Sequence, residues 1–587
     1  MKTKWLLIVA LLLIIGGGLL AYCVQTDGNT IKIKDIRFIG SDGKLNSALL
    51  YIPSGVSKKN PAPGIVATHG YINSRETQDS FAIEFARRGY VVLAPDQSGH
   101  GFSDPPAFGN GFGVIDTLKY LRTLDIVDPK NIGLEGHSMG GWGSVVAAGA
   151  NPDGYKSIVL TSSSTGTLGI PEGTATFPRN MAVILSTYDE FSELMWNAKI
   201  PINIVKTDKL KKAFGTTQNV EVGKLYGSVD AGTARKLYMP KMNHTRTHFS
   251  NEAVGNAVEW MQLTLKGGKN IPVTNQIWCW KEIGTFIALI GMVLLVFPLG
   301  QLLLQTNYFK TLSEATPEPK TAKGFGWWVA AIITILLPIP AYLWAWAANP
   351  YNSKGFPDTS YLFPQHITTI IMFWALAVGV ISLVLFMLWH FFSNRKKDAS
   401  FVNYGLTWKD KGMDWGKIGK SFLLAAIICF AAYLTLVISG WVFTTDYRLW
   451  VFAIKPMTVL HFRIFLSYFI PFMAYFLILG LCLHGELRCG ETAAWKEMVI
   501  NVILLITGYI IFLLLQYIPL LGGATLAIPE AHLPTIVLHQ FLPVFTIVAL
   551  ISTYFYRKTG HIYTGAFLCA MLVTWILVAG TATQFAF

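Results

Sequence analysis

The sequence predicts two structural classes in one chain: an α/β domain with a mostly parallel sheet, and an all-α domain that crosses a membrane about nine times. Three observations carry this reading. A chain of 587 residues is longer than a single hydrophobic core organises. Hydrophobic residues make up 52% and charged residues only 14%, about half the charged share of a typical soluble protein. The apolar residues are also unevenly spread. Short β-rich runs alternate with amphipathic stretches from about residue 25 to residue 274, whereas apolar runs of spanning length follow Trp278 almost without a break. The expected boundaries are an N-terminal signal anchor over 1–24, an α/β domain over 25–275 and a polytopic helical domain over 276–587.

Lys2 and Lys4 precede the apolar run from Trp5 to Val24, the charge and length of a signal peptide or a signal anchor. Small residues usually precede a cleavage point. Here Leu20-Ala21-Tyr22-Cys23 sets a tyrosine before the cysteine that could accept a lipid, so an uncleaved anchor is expected. In the α/β region, 65–68, 90–94, 131–135 and 158–161 read as buried strands, and 80–88 and 112–124 have helical spacing. Cys23, Cys279, Cys429, Cys482, Cys489 and Cys569 all lie in or beside apolar segments. The α/β domain therefore needs no disulfide framework.

Further spans are expected near 283–304, 327–348, 367–392, 422–443, 464–483, 499–517, 535–555 and 562–587. Basic residues test the count. With the N-terminus inside, the inner loops carry Lys310, Lys320 and Lys323, then Arg395, Lys396, Lys397, Lys409, Lys411, Lys417 and Lys420, then Arg488 and Lys496, then Arg557 and Lys558. The outer loops carry Lys354, Arg448, Lys455 and Arg463. This asymmetry places the α/β domain outside the cytoplasm. It also accounts for the net charge of +13 without a nucleic-acid partner. His390, Glu497, Gln516 and His539 are polar groups near or within spans and each invites a functional reading, with headgroup contact at span ends as the plainer one for His390 and Glu497. The outer segment Asp446 to Lys455, followed by His461 and Arg463, has the aromatic and basic character of a lipid-headgroup contact or an interfacial anchor.

The sharpest chemical signal is Gly136-His137-Ser138-Met139-Gly140-Gly141, after an apolar strand and before a small-residue helix at 142–150. A G-x-S-x-G between strand and helix marks a tight turn that presents a strained serine at the top of a sheet, beside the positive end of a helix. At these residues the sequence resembles the α/β-hydrolase superfamily, in particular its esterase-like, dienelactone hydrolase-like and peptidase-like members. The strand leading into His69-Gly70-Tyr71 and the turn Asp96-Gln-Ser-Gly-His100-Gly-Phe-Ser103 fall in the same order as in that family. The resemblance runs from about Lys32 to Leu265 and does not reach the later spans.

The resemblance implies a serine hydrolase with Ser138 as nucleophile and an oxyanion hole made by the backbone N–H groups of Met139 and Tyr71. It implies structural roles for His69, Asp96, His100 and Ser103. A serine needs a base and usually an acid, in the order Ser, acid, His. After the strand at 181–186 come Asp189 and Glu190, of which Asp189 is the candidate acid and Glu190 the alternative. After a last strand at 236–240 come His244 and His248, of which His244 is the candidate base and His248 the alternative. The short connection between 161 and 181 leaves no room for a large lid there, so the site is expected to be open or covered by 191–226. No H-E-x-x-H, C-x-x-C or P-loop supports a metal or nucleotide cofactor. The expected substrate is a small-molecule, lipid or peptide acyl compound cleaved at an ester, thioester or amide bond at the outer membrane face. An acyltransferase, or a transporter or sensor whose hydrolase-like domain only binds ligand, is the competing reading.

Overall fold

The structure is a computed structural model that describes residues 2–321, 324–347, 359–409, 411–488, 490 and 492–587. Lys323, Lys354, Cys489 and most of the loop before Pro364 lie outside the described residues.

The α/β domain is built on a nine-stranded sheet in the order β1-β2-β4-β3-β5-β6-β7-β9-β8. Its strands are β1 (Ile31–Ile39), β2 (Leu45–Pro53), β3 (Ala62–Thr68), β4 (Val91–Pro95), β5 (Val127–His137), β6 (Ser157–Thr161), β7 (Met181–Ile184), β8 (Leu225–Tyr226) and β9 (Arg235–Tyr238). The central strands, from β4 through β9, pair in parallel. β3, β4, β6 and β7 are buried along their whole length because helices cover both faces. The antiparallel β1, β2 and β8 close the edges. The helices of this domain are α2 (Asp79–Arg87), α3 (Val114–Thr123), α4 (Met139–Ala150), α5 (Ser192–Trp196), α6 (Asp208–Phe214) and α7 (Asn251–Thr264). The chain leaves β3 toward β4 on one side and β5 on the other, a switch in strand order that opens a crevice at the carboxyl ends of the strands.

The remaining helices are α1 (Lys2–Gln25), α8 (Trp278–Leu304), α9 (Phe325–Leu336), α10 (Pro338–Ala347), α11 (His366–Trp389), α12 (Trp415–Phe443), α13 (Val459–Leu481), α14 (Ala494–Leu521), α15 (His532–Leu538), α16 (Phe541–Thr559) and α17 (Tyr563–Gly580), with a small hairpin, β10 (Tyr447–Leu449) and β11 (Phe452–Ile454), before α13. Among the described residues, nine helical segments are long and apolar enough to cross a membrane. Each overlaps a span expected from the sequence. The last one stops at Gly580 rather than Phe587, because the tail beyond it turns out of the bundle. There the Ala107 N–H donates to the Thr583 carbonyl at 2.8 Å and the Thr583 N–H to the Gly99 carbonyl at 2.8 Å.

The α/β domain is inserted between α1 and α8, which lie side by side on a seam of small residues. A Cβ at Gly17 would come 2.5 Å from the Gly284 carbonyl, and one at Gly291 would come 2.8 Å from the Ala10 carbonyl, so only glycine lets the two backbones approach this closely. The loops expected on the inner side gather at the far end of the bundle from the α/β domain. There Glu314 meets Lys417 and His561, Arg488 donates to the Pro317 carbonyl at 2.7 Å, and Asn403 to the Glu318 carbonyl at 3.1 Å.

The polar residues singled out within spans have internal partners. His390 Nδ1 lies 2.8 Å from the Tyr404 hydroxyl, Glu497 pairs with Arg557 at 2.5 Å, and Gln516 bonds to Ile528 and Thr535. His539 Nδ1 lies 3.2 Å from the Ile536 carbonyl.

Buried charges pin one domain to the other. Lys281 of α8, fully buried, reaches Asp79 at the start of α2 at 2.6 Å. Asp79 also accepts from the Tyr51 hydroxyl at 2.5 Å. Burial pushes the Asp79 carboxyl up to about 6 despite that ammonium. Removing one partner of a buried pair leaves the other charge uncompensated, so Lys281→Met should destabilise the protein by about 3–5 kcal/mol. Asp79→Asn added to it should recover part of that loss. Thermal unfolding in detergent measures both, and an unshifted Tm in the single variant would contradict the pairing.

Candidate active site

β5 ends at His137 and α4 begins at Met139, leaving Ser138 at φ 53°, ψ −121°. A non-glycine residue adopts this left-handed geometry only where its surroundings dictate it. Here they do. A Cβ at Gly136 would run into the Gly140 carbonyl, and one at Gly140 into the Thr68 carbonyl at the end of β3. The motif glycines are thus required by close approach of two strand ends and a helix. The Ser138 N–H donates to the Thr161 carbonyl at 2.9 Å, which ties the turn to β6. Met139 is the first residue of α4, so its N–H has no partner within the helix.

The turn after β3 lies beside it. His69 is fixed by contacts of its Nδ1 with the Gly70 carbonyl at 2.7 Å and its Nε2 with the Gln97 N–H at 3.0 Å. Burial, together with nearby His100, holds this ring well below the usual histidine range. Asp96 accepts from the Arg75 and Phe102 N–H groups and from the Ser47 hydroxyl, and Ser103 bonds to Ser47 and to the Asp96 carbonyl. These residues organise the loop. Tyr71 and Met139 both line the cavity over Ser138. Among the described residues, no acceptor is recorded for either backbone N–H.

Asp189 follows β7 and His244 follows β9, two strands paired in parallel, so both side chains arrive at the same sheet end. His244 Nδ1 lies 2.9 and 3.1 Å from the two Asp189 oxygens. That contact turns Nε2 away from the acid. Burial disfavours the charged ring, but the carboxylates of Asp189 and Glu190 outweigh it, and His244 titrates above its ordinary value of 6.5. Ser138 and His244 face the same cavity.

The alternatives separate cleanly by geometry. Glu190 accepts from the His244 backbone N–H at 2.8 Å and from the Tyr517 hydroxyl of α14 at 2.5 Å, so it holds the loop rather than the ring. Burial and then Asp189 push its carboxyl upward. Among the described residues the His248 ring nitrogens have no hydrogen-bond partner, and the ring lies tilted against His137 with centroids 3.6 Å apart. Burial, then His244 and Arg448, keep it neutral. His137 was only the variable position of the motif in sequence. In the structure its Nε2 lies 3.1 Å from the His244 carbonyl and 2.9 Å from the Thr247 hydroxyl, bracing the loop from beneath.

The site is neither open nor covered by 191–226 alone. Ser138 lies in a cavity of about 500 Å³ whose far wall is the helical domain: Leu343, Trp346, His366, Ile370, Leu533 and Ile536 face Trp142, Phe191, Leu194 and Met195. Phe191 touches both His244 and His532, each with ring centroids 4.6 Å apart. Ile72, at φ 57°, inserts into the hydrophobic core of the helical domain, and the Tyr71 hydroxyl accepts from Gln584 at 3.0 Å. Two basic residues of the segment read as a headgroup contact or interfacial anchor are also enclosed, while Arg463 beyond it stays exposed. Arg448 is 1% exposed, paired with Asp446 at 2.5 Å and donating to Thr77 at 2.7 Å, and Lys455 is 7% exposed. The α/β domain sits on top of them, which no local sequence pattern reveals. Among the described residues no cluster of metal-ligating side chains occurs.

Residues 63–276 match the family model described as alpha/beta hydrolase fold. Over 144 residues the chain is 31% identical to S-formylglutathione hydrolase of Rattus norvegicus, a match that covers 20% of this chain and 50% of that protein. The chain thus spans about half the length of the curated relative it matches. Among solved structures, an esterase of Pyrococcus furiosus is 16% identical with a TM-score of 0.31, covering 41% of this chain and 94% of that one. A dienelactone hydrolase of Anabaena variabilis is 14% identical with a TM-score of 0.28, covering 40% and 100%.

Because the charged form of His244 has no lone pair at Nε2, reactions that need that nitrogen free should fade as pH falls. The midpoint should lie above 6.5. Glu190→Gln removes one of the charges that raise it and should move the midpoint down. The pH dependence of fluorophosphonate labelling at Ser138 reads both, and a wild-type midpoint below 6.5 would contradict the ion pair.

Proposed function

Because residues 63–276 carry the alpha/beta hydrolase fold, we propose that this chain is a membrane-anchored serine hydrolase that cleaves ester bonds, with thioesters and amides open to the same chemistry. The observation that carries the reading is the Asp189–His244 contact at 2.9 Å beside a serine held at φ 53°. A domain that only bound ligand would have no use for that strain.

In the first half-reaction the Ser138 Oγ attacks the acyl carbonyl while His244 Nε2 takes the hydroxyl proton. The oxyanion that forms accepts hydrogen bonds from the N–H groups of Tyr71 and Met139, which need not reorganise as charge develops. Asp189 stabilises the imidazolium. Collapse breaks the bond to the leaving group, which departs with the proton from His244, and leaves an acyl ester on Ser138. In the second half-reaction His244 takes a proton from water, hydroxide adds to the acyl ester, and Ser138 leaves protonated with release of the carboxylic acid.

Among the described residues, nine apolar helices of spanning length support a multi-pass membrane protein. The gathering of the Lys- and Arg-rich loops at the end of the bundle opposite the α/β domain supports an extracytoplasmic site and a cytoplasmic N-terminus. The tight seam between α1 and α8 supports α1 remaining attached as an anchor.

The test is fluorophosphonate labelling of membranes that contain the full chain. Wild type and His248→Ala should label. Ser138→Ala should not label at all, and His244→Ala should lose about six orders of magnitude in rate. Labelling that survives Ser138→Ala, or that depends on His248 rather than His244, would overturn the assignment.

A further inference from the structure

The catalytic cavity is asymmetric. On the side of Asp189, Leu194, Glu530 and His532 are shared with a second cavity of about 340 Å³, which is lined by Glu193, Lys199 and Thr525. Glu193, Lys199 and Glu530 are exposed, so this branch is wet. On the side of the turn after β3, Ile72 and Gln540 are shared with a narrower cavity inside the helical domain, between α11, α13, α16 and α17. That one is walled by Ile371, Trp374, Phe472, Val544, Val573 and Ile576. Tyr475 and Phe545 are in turn shared with a further internal cavity of about 60 Å³. Packing defects therefore line up from Ser138 into the centre of the bundle, where densely packed side chains normally leave few voids. The narrower cavity holds only about 30 Å³ as it stands, so side chains that line it have to move to admit a ligand.

Resting on the hydrolase reading above, we propose that the substrate is a single-chain amphiphile: its acyl tail passes Ile72 and Gln540 into the apolar cavity of the helical domain, and its polar leaving group faces the wet branch beside His532 and Glu530. Apolar surface drives the tail inward, because each methylene removed from water favours binding. The polar end stays where water reaches it, since burying it without partners is unfavourable. The helical domain is then the acyl-binding half of the active site. The catalytic residues come from one domain and the chain-length selectivity from the other. Gln540, a polar residue at the mouth of an apolar passage, serves as the movable partition between them.

Esters of p-nitrophenol with graded acyl chains test this with the full chain in detergent or vesicles. Wild type should cleave the dodecanoyl ester with kcat/KM about tenfold or more above the acetyl ester. Val573→Phe, which narrows the inner cavity far from the catalytic residues, should lose that advantage while cleaving the acetyl ester as wild type does. Since an enlarged side chain in a packed bundle can prevent folding, a second measurement uses the wild type alone. A long-chain alkyl fluorophosphonate with a terminal diazirine is bound at Ser138 and photolysed. Crosslinks in the peptides of α11, α16 or α17 are the expected result. Crosslinks confined to the α/β domain or to lipid, or equal turnover of short and long esters, would overturn the inference while leaving the hydrolase reading intact. If neither ester is cleaved and no fluorophosphonate reacts, the hydrolase reading fails and this inference fails with it.

Discussion

Two residues with left-handed backbone at the site, Ser138 at φ 53° and Ile72 at φ 57°, sit at neighbouring strand ends and are held by different means. Ser138 is fixed from within its own domain, by glycines that let β3, β5 and α4 crowd together. Ile72 is fixed from outside it. A β-branched residue in the left-handed region is unfavourable on its own, and what retains it is burial of its side chain in the core of the helical domain. The turn that supplies the Tyr71 N–H is therefore shaped by contact with the second domain. The rest of the arrangement follows from that contact, including the enclosed cavity, the buried Arg448 and the tail that pairs with Gly99 and Ala107.

An interface of this kind imposes its own electrostatics. Charges are expensive to bury unless paired and hydrogen-bonded. Accordingly Asp79 meets Lys281 and Tyr51, and Arg448 meets Asp446 and Thr77. Lys455 is held down to about 8, by burial first and by Arg448 second. Such pairs add less to net stability than to registry, since only one seating of the α/β domain satisfies all of them. The hydrogen bond from Tyr517 to Glu190 extends this registry to the histidine loop, because Glu190 also holds the His244 backbone. A displacement of α14 would be felt at His244 through two hydrogen bonds.

Much of the α/β domain could be read from sequence because its signals are local. Buried parallel strands are short apolar runs, and β3 to β7 and β9 fall where those runs lie. The tight turn at Ser138 is written in consecutive residues, and Asp189 and His244 each follow a recognisable strand. The antiparallel β1, β2 and β8 lie outside those runs: β1 alternates charged with apolar residues and β8 is two residues long. What covers the site could not be read at all. Leu343, Ile370 and Ile536 look like any span residue until the fold turns them toward Ser138. Arg448 and Lys455 carried the composition of a headgroup contact, and only the seating of the other domain buries them. The choice between His244 and His248 likewise needed three dimensions, because both follow β9 and only one turns toward Asp189.

The pairing of α1 with α8 has a consequence for how the site assembles. A domain hung from one flexible stalk explores a wide volume and meets its partner surface at a low effective concentration. Here both ends of the α/β domain emerge from adjacent helices locked together at Gly17, Gly284 and Gly291. Such a double attachment restricts swivelling, so the search for the docked arrangement is short and its entropy is largely removed in advance. Modest contacts at Ile72, Glu190 and Thr583 are then enough to keep the two halves of the chamber over Ser138 together.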